Sequence, residues 1–183
     1  GKSKQAFSIF EKLINIEKNN KGNTIKLVLD ADALNLLAEN RELFEKIRNR
    51  SVLTPHLVEF SRLTGFSPEV INKNKFEIAK EFSKKYGIIL LLKGKNTIIT
   101  NGEELFANST GNSHMANGGM GDCLTGIICS LAGQKYDLMK SANIGAYLHG
   151  KIADELVRRQ YTVNATDVID NISKYMNEIF LFR

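Results

Sequence analysis

Asn108-Ser109-Thr110-Gly111-Asn112-Ser113-His114-Met115-Ala116-Asn117-Gly118-Gly119-Met120-Gly121-Asp122 is the stretch around which the chain is organised. Glycines and small polar residues lead there into Cys123-Leu124-Thr125-Gly126-Ile127-Ile128-Cys129-Ser130-Leu131-Ala132-Gly133. Leu124, Ile127, Ile128 and Leu131 recur at i, i+3, i+4 and i+7, which predicts the apolar face of a helix. Glycines entering a helix N-terminus leave backbone N–H groups aimed at one spot, and the helix dipole adds partial positive charge. A phosphate fits such a place. A carboxylate there, Asp122, is also favoured in its ionised form, which suits a base. The plainer alternative is an N-capped helix with Asp122 as the cap. The stretch is not a Walker loop, because no Lys follows the glycines, and it is not Gly-x-Gly-x-x-Gly.

Upstream, residues 88–92 are five apolar residues between Gly87 and Lys93, the pattern of a buried parallel strand. Lys93-Gly94-Lys95-Asn96 turns into a strand over residues 97–100. Asn101-Gly102 is a hairpin signal with residues 104–107 returning. A strand over 51–54 runs into Thr54-Pro55-His56-Leu57-Val58-Glu59, where His56 and Glu59 share one helix face. That spacing reads either as a site or as a surface pair. A strand over 25–29 ends in Asp30-Ala31-Asp32-Ala33-Leu34-Asn35. Carboxylates at a strand's C-terminal end lie where open α/β sheets bind ligands. Asp32 reads equally as the cap of a helix expected over 35–49.

Helices are also expected over 6–16, with Phe7, Phe10, Leu13 and Ile14 on one face, and over 68–86. A helix over 138–160 is rich in Ser141, Ala142, Gly145, Ala146 and Gly150, which implies close packing. A last helix starts at Thr166 or Asp167 and turns Val168, Ile172, Tyr175, Met176 and Ile179 inward. Without repeats, low-complexity segments or linkers, residues 1–183 read as one domain. The expected fold is a three-layer α/β/α sandwich with a mainly parallel sheet.

A chain of 183 residues with 43% hydrophobic content supports a sizeable core. The net charge is +5, but Lys and Arg alternate with Glu, as over 73–85. That pattern describes solvated faces rather than a nucleic-acid surface, with a mild attraction for anionic nucleotides. Cys123 and Cys129 match no zinc spacing and read as small buried residues in a reducing compartment. No apolar run approaches the roughly 20 residues of a membrane span. A cytoplasmic protein without nucleic-acid or membrane partners is expected. The chain opens at Gly1 rather than Met, so its N-terminus reads as a cut.

Four motifs now stand in order: Asp30-Ala31-Asp32-Ala33-Leu34-Asn35; Thr54-Pro55-His56-x-x-Glu59-Phe60-x-Arg62-Leu63; Lys93-Gly94-x-x-Thr97; and Asn108-x-Thr110-Gly111-Asn112 running into Gly118-Gly119-x-Gly121-Asp122. Across essentially the whole chain they resemble the ADP/ATP-dependent NAD(P)H-hydrate dehydratases, a branch of the ribokinase-like superfamily. The Gly-Gly-x-Gly-Asp run alone points only to the superfamily. Thr54-Pro55-His56 and the run from Asp30 to Asn35 point to the branch. The chain departs from the family at His114, usually Gly, and at Met120, usually Thr. The family's first strands are absent, and Gly1-Lys2-Ser3 resembles the tail of the Gly-Pro-Gly-Leu-Gly turn that precedes this point. A C-terminal portion of the domain is therefore implied, with too little of the substrate pocket for useful turnover alone.

The resemblance implies that ADP or ATP phosphorylates the ring hydroxyl of hydrated NADH or NADPH, and that phosphate is then eliminated. It makes Asp122 the base and gives the anion hole to the N–H groups of Gly119, Met120 and Gly121. It gives the nucleotide to Lys93, Gly94, Lys95, Asn96, Thr97 and Gly121. It gives the hydrated dinucleotide to His56, Asp122 and Gly1, and a water-mediated Mg²⁺ contact to Glu59. Self-association into a homo-oligomer, and fusion to or work with an NAD(P)H-hydrate epimerase, are further implications. Two alternatives remain. One is a vitamin or sugar kinase of the same superfamily, which usually carries Asn in place of His56. The other is an inactive nucleotide-binding fragment.

Overall fold

Three short apolar runs pair in parallel: β1 (Leu27–Leu29), β2 (Ser51–Leu53) and β3 (Ile89–Leu92). Val28 is in register with Val52, and Val52 with Ile89. β4 (Thr97–Thr100) turns back antiparallel, with Leu91 opposite Ile99, and β5 (Leu105–Asn108) completes the order β1-β2-β3-β4-β5. Leu90, Leu91 and Leu92 are all fully buried, which is why β3 lacks the alternation of a half-exposed strand. In the hairpin, Gly102 takes φ +94° and the Asn101 side-chain oxygen accepts the N–H groups of Glu103 (2.9 Å) and Glu104 (2.8 Å). The computed structural model describes residues 4–18 and 20–180, with the side chains of 178–180 excepted. Gly1 and the Ile179 side chain thus lie outside the described residues. The chain divides into two compact units, Gly1–Ala107 and Asn108–Arg183.

The helices of the first unit are α1 (Lys4–Asn15), α2 (Asp32–Glu39), α3 (Phe44–Ile47), α4 (Leu57–Thr64), α5 (Pro68–Lys73) and α6 (Lys75–Tyr86). Two expected helices are broken. The one placed at 35–49 starts at Asp32 and stops at Asn40, whose backbone and side-chain N–H groups both bond to Leu36 O. The one placed at 68–86 is interrupted at Asn74, φ −128°. Asn offers its own side chain to nearby backbone groups and so competes with helix continuation. The buried stripe of α1 is narrower than expected: Phe10 and Ile14 are buried, but Leu13 is 54% exposed. Phe82 meets Phe44 and Phe60 edge-on, at ring centroid distances of 5.8 and 5.3 Å, near the centre of this unit's core. Arg50, which no motif singled out, is buried and donates to the carbonyls of Ile14, Ile16, Ile25 and Lys46.

The second unit holds α7 (Met120–Gly133), α8 (Leu138–Leu156) and α9 (Ala165–Phe180) around a core of its own that includes Met120, Ile127, Leu131, Leu148 and Val168. The small residues of α8 serve close packing as expected. A Cβ on Gly145 would stand 2.8 Å from Ile128 Cγ1. α8 ends at Leu156, four residues early. α9 is opened by a reciprocal pair, with Asn164 N–H on the Asp167 carboxylate (2.9 Å) and Asp167 N–H on the Asn164 side chain (3.0 Å). Cys123 is buried but Cys129 is exposed, against expectation. Six residues turn a helix through about 600°, which carries the second cysteine away from the face of the first. No helix among the described residues is long and apolar enough to cross a membrane.

Candidate active site

In the first unit, the loops after β1, β2 and β3 are laced together at the strands' C-terminal ends. Thr54 donates both its N–H (3.0 Å) and its hydroxyl (3.2 Å) to Leu29 O, and Lys93 N–H bonds to Pro55 O at 2.8 Å. Lys93 Nζ donates to Asp30 Oδ1 at 2.8 Å, with the two side chains 22% and 13% exposed. Lys93 therefore stands at this edge already paired, by a carboxylate that the motif reading left without a role. Ala31, next to it, takes φ +50°. Asp32 is exposed in the first turn of α2. Arg62 and Asn35, from two different motifs, meet through a 2.9 Å hydrogen bond. Gly94, Lys95 and Asn96 form an exposed turn, closed by the Thr97 hydroxyl on Gly94 O at 3.1 Å.

His56 is the N-cap of α4. Its Nδ1 accepts the N–H groups of Val58 (3.1 Å) and Glu59 (3.3 Å), while Glu59 Oε2 accepts His56 N–H at 2.8 Å. This is a capping box with an imidazole as the capping group. An accepting Nδ1 puts the proton of the neutral ring on Nε2. The His56 side chain stays 51% exposed, whereas that of Glu59 is 8% exposed. The spacing that suggested a site thus has a structural role as well. Among the described residues no three His, Cys, Asp or Glu gather around one point. Mg²⁺ that arrives on a nucleotide takes most of its ligands from phosphate and water. Glu59 fits that use only through its second carboxylate oxygen.

In the second unit, the N-cap of α7 is Gly119, at φ +84° and with no side-chain cap. Asp122 is therefore not the cap but the third residue of the helix, and it is exposed. The Cys123 N–H bonds to Gly119 O at 2.9 Å, so the N–H groups of Met120, Gly121 and Asp122 precede the first helical bond. Met120 packs inward and is 6% exposed. Its bulk is thereby kept off the open N–H groups. A cavity of about 540 Å³ opens beside Gly119 and Asp122 and runs along α7 and α9, past Cys123, Ile127, Ile169 and Met176.

His114 has a structural place, its ring edge-on to Tyr161 and Asn112 Oδ1 accepting its backbone N–H at 3.1 Å. His149 is buried in α8, and its Nε2 has no hydrogen-bond partner among the described residues. Burial pushes its pKa down to about 4, opposed in part by a hydrogen bond with the Met120 backbone.

The NAD(P)H-hydrate dehydratase family model matches residues 4–174 of this chain. The bifunctional NAD(P)H-hydrate repair enzyme Nnr of Moorella thermoacetica is 41% identical over 149 residues, covering 80% of this chain and 28% of that protein. A ribokinase-like superfamily protein of Enterococcus faecalis superposes with a TM-score of 0.86 at 28% identity, over 97% of this chain and 60% of that one. The ADP/ATP-dependent NAD(P)H-hydrate dehydratase of Bacillus subtilis, co-crystallised with ATP/Mg²⁺ and soaked with CoA, superposes with a TM-score of 0.71 at 29% identity, over 84% and 56% of the two chains. The chain thus spans 28% of its Moorella relative and little more than half of the two solved ones.

Proposed function

The chain belongs to the NAD(P)H-hydrate dehydratase family and has its ribokinase-like α/β fold, and from that premise we propose that it supplies the nucleotide loop and catalytic base of an enzyme that dehydrates NADH or NADPH hydrate using ADP or ATP. The observation that supports this most is the start of α7. Gly119 caps it without a side chain, three N–H groups precede its first hydrogen bond, and an exposed carboxylate sits on its first turn.

In this reading Asp122 takes the proton of the ring hydroxyl as that oxygen attacks the terminal phosphoryl group. The N–H groups of Met120 and Gly121, two of the three that precede the first helical bond, and that of the Gly119 cap before them stabilise the charge on the phosphoryl in flight. The ring nitrogen's lone pair then expels phosphate to give a ring iminium, and loss of a proton from the neighbouring ring carbon restores NADH or NADPH. AMP is left from ADP, or ADP from ATP. Lys93, Gly94, Lys95, Asn96, Thr97 and Gly121 hold the nucleotide, with Lys93 sharing its ammonium between a phosphate and Asp30. His56 offers its Nε2–H to the hydrated dinucleotide. Glu59 would hold Mg²⁺ through water, and the ion would supply neutralisation of phosphate charge when bound. A second repair activity working beside this one, such as the epimerase, completes the reading, in line with the bifunctional name of the Moorella relative.

Because the chain spans only part of the length of its relatives, the test gives the full-length protein that carries it hydrated NADH with ADP or ATP and Mg²⁺. NADH absorbance should return with equimolar release of phosphate. A stable phosphorylated product without NADH would identify a kinase instead, and no turnover of either sort would overturn the proposal.

A further inference from the structure

Residues 108–112 lead from β5 towards the Gly119 turn, and one face of α8 grips them. Asn108 Nδ2 donates to Ala146 O at 3.2 Å, and the Thr110 hydroxyl lies 3.0 Å from Tyr147 O. Asp154, further along α8, uses both carboxylate oxygens. Oδ2 accepts Gly111 N–H at 2.9 Å, and Oδ1 accepts Asn112 Nδ2 at 2.7 Å. Hydrogen bonds to an ionised acceptor are about twice as strong as neutral ones. Gly150 lets the chain this close: a Cβ there would stand 2.6 Å from Thr110 C and 2.7 Å from Gly111 N.

The grip is passed on towards the turn. Asn112 Oδ1 accepts His114 N–H at 3.1 Å, and Asn117 Nδ2 donates to His114 O (3.0 Å) and Val163 O (2.9 Å). Asn117 is followed directly by Gly118 and the Gly119 cap. A chain of hydrogen bonds therefore runs from Asp154 through the Asn112 side chain and the His114 backbone to the Asn117 side chain, just before the glycines. No motif reading pointed to Asp154. It stands in the last turn of α8, and its partners lie 42 and 43 residues away in sequence.

We propose that Asp154 is a positioning residue for phosphoryl transfer, holding Gly111 and Asn112 so that the Gly119–Asp122 turn keeps its place. This rests on the function proposed above. Misplacement of reacting groups by about 1 Å can cost on the order of 10²-fold in rate. Asp154 touches no reacting atom. Its effect belongs to kcat rather than to nucleotide affinity.

The experiment is an exchange of partners. Asp154→Asn leaves one acceptor oxygen for two donors, so its NH₂ group must face either Gly111 N–H or Asn112 Nδ2, and Asn112→Asp sets two carboxylates against each other at the 2.7 Å contact. The double variant restores an amide–carboxylate pair with the roles reversed, and it keeps an acceptor for Gly111 N–H. Each single variant should lower kcat by about 10–100-fold, with KM for the nucleotide nearly unchanged. The double variant should recover most of the loss. The amide NMR signals of Gly119 and Gly121, read without substrate, should move or broaden in the single variants and return in the double. Unchanged amides and kcat in Asp154→Asn would overturn the proposal. So would a double variant that recovers melting temperature but neither kcat nor the amide signals. If the wild type has no dehydratase activity, the functional reading fails while the amide signals still decide the role of Asp154.

Discussion

Asp122 is free of capping duty, because Gly119 caps α7, and its exposed carboxylate is available to a substrate. Asp122→Asn keeps the size and removes the base. Turnover should fall by about 10²–10⁴-fold with nucleotide affinity little changed, and near-normal steady-state rates would remove Asp122 from the role. His149 makes a different prediction. Its folded-state pKa is about 4 against an ordinary 6.5, so between those values the unfolded chain binds a proton that the folded chain refuses. The stability that its neutral ring contributes is complete above pH 6.5 and is lost as pH falls towards 4, by up to about 3 kcal/mol. Urea unfolding at pH 7 and pH 4.5 should show a smaller loss in His149→Gln than in the wild type. Equal losses would mean that His149 is not buried neutral. Sequence could name both residues, but only burial separates an accessible carboxylate from a sequestered imidazole.

At the scale of the element, α4 begins with a residue that the motif reading gave to substrate and the structure also gives to the helix. His56→Asn distinguishes the two uses, because Asn is a good N-cap. The variant should melt close to the wild type while kcat/KM for hydrated NADH falls. Loss of stability without a change in kcat/KM would leave His56 as a cap alone. The two broken helices belong to this scale too. Their apolar spacing continues through Asn40 and Asn74, so periodicity alone joins them, and the stop is a local backbone choice. The small residues of α8 were legible because Gly145 has no other use than closeness. The reach of Asp154 was not, since nothing in a helix pattern records which loop its solvent face meets.

For the molecule as a whole, the prediction is linkage. A ligand that binds only the folded state stabilises it by about 2.7 kcal/mol at 100 times its dissociation constant. ADP or ATP with Mg²⁺ should therefore raise the melting temperature, and Gly94→Val in the exposed turn after β3 should abolish that shift. An unchanged shift in the variant would move the nucleotide away from residues 93–97. Calorimetry can read this without any turnover. Each of the two units has a hydrophobic core of its own, so the shift should be followed by more than one probe.

The sequence by itself determined the α/β class, the parallel run of β1 to β3, the hairpin after it, and the glycine turn at the head of α7. Those are local facts, written in periodicity, in β-branched and aliphatic runs, and in glycines where φ must be positive. Only the tertiary structure decided that Lys93 is paired with Asp30, that Arg50 is buried on four carbonyls, that Cys129 faces solvent and that Asp154 grips Gly111 and Asn112. Each of these depends on which side of an element meets a segment far away in sequence. A charged or polar side chain is compatible with many such meetings, and it is assigned to one only when donors and acceptors from distant segments are brought within about 3 Å.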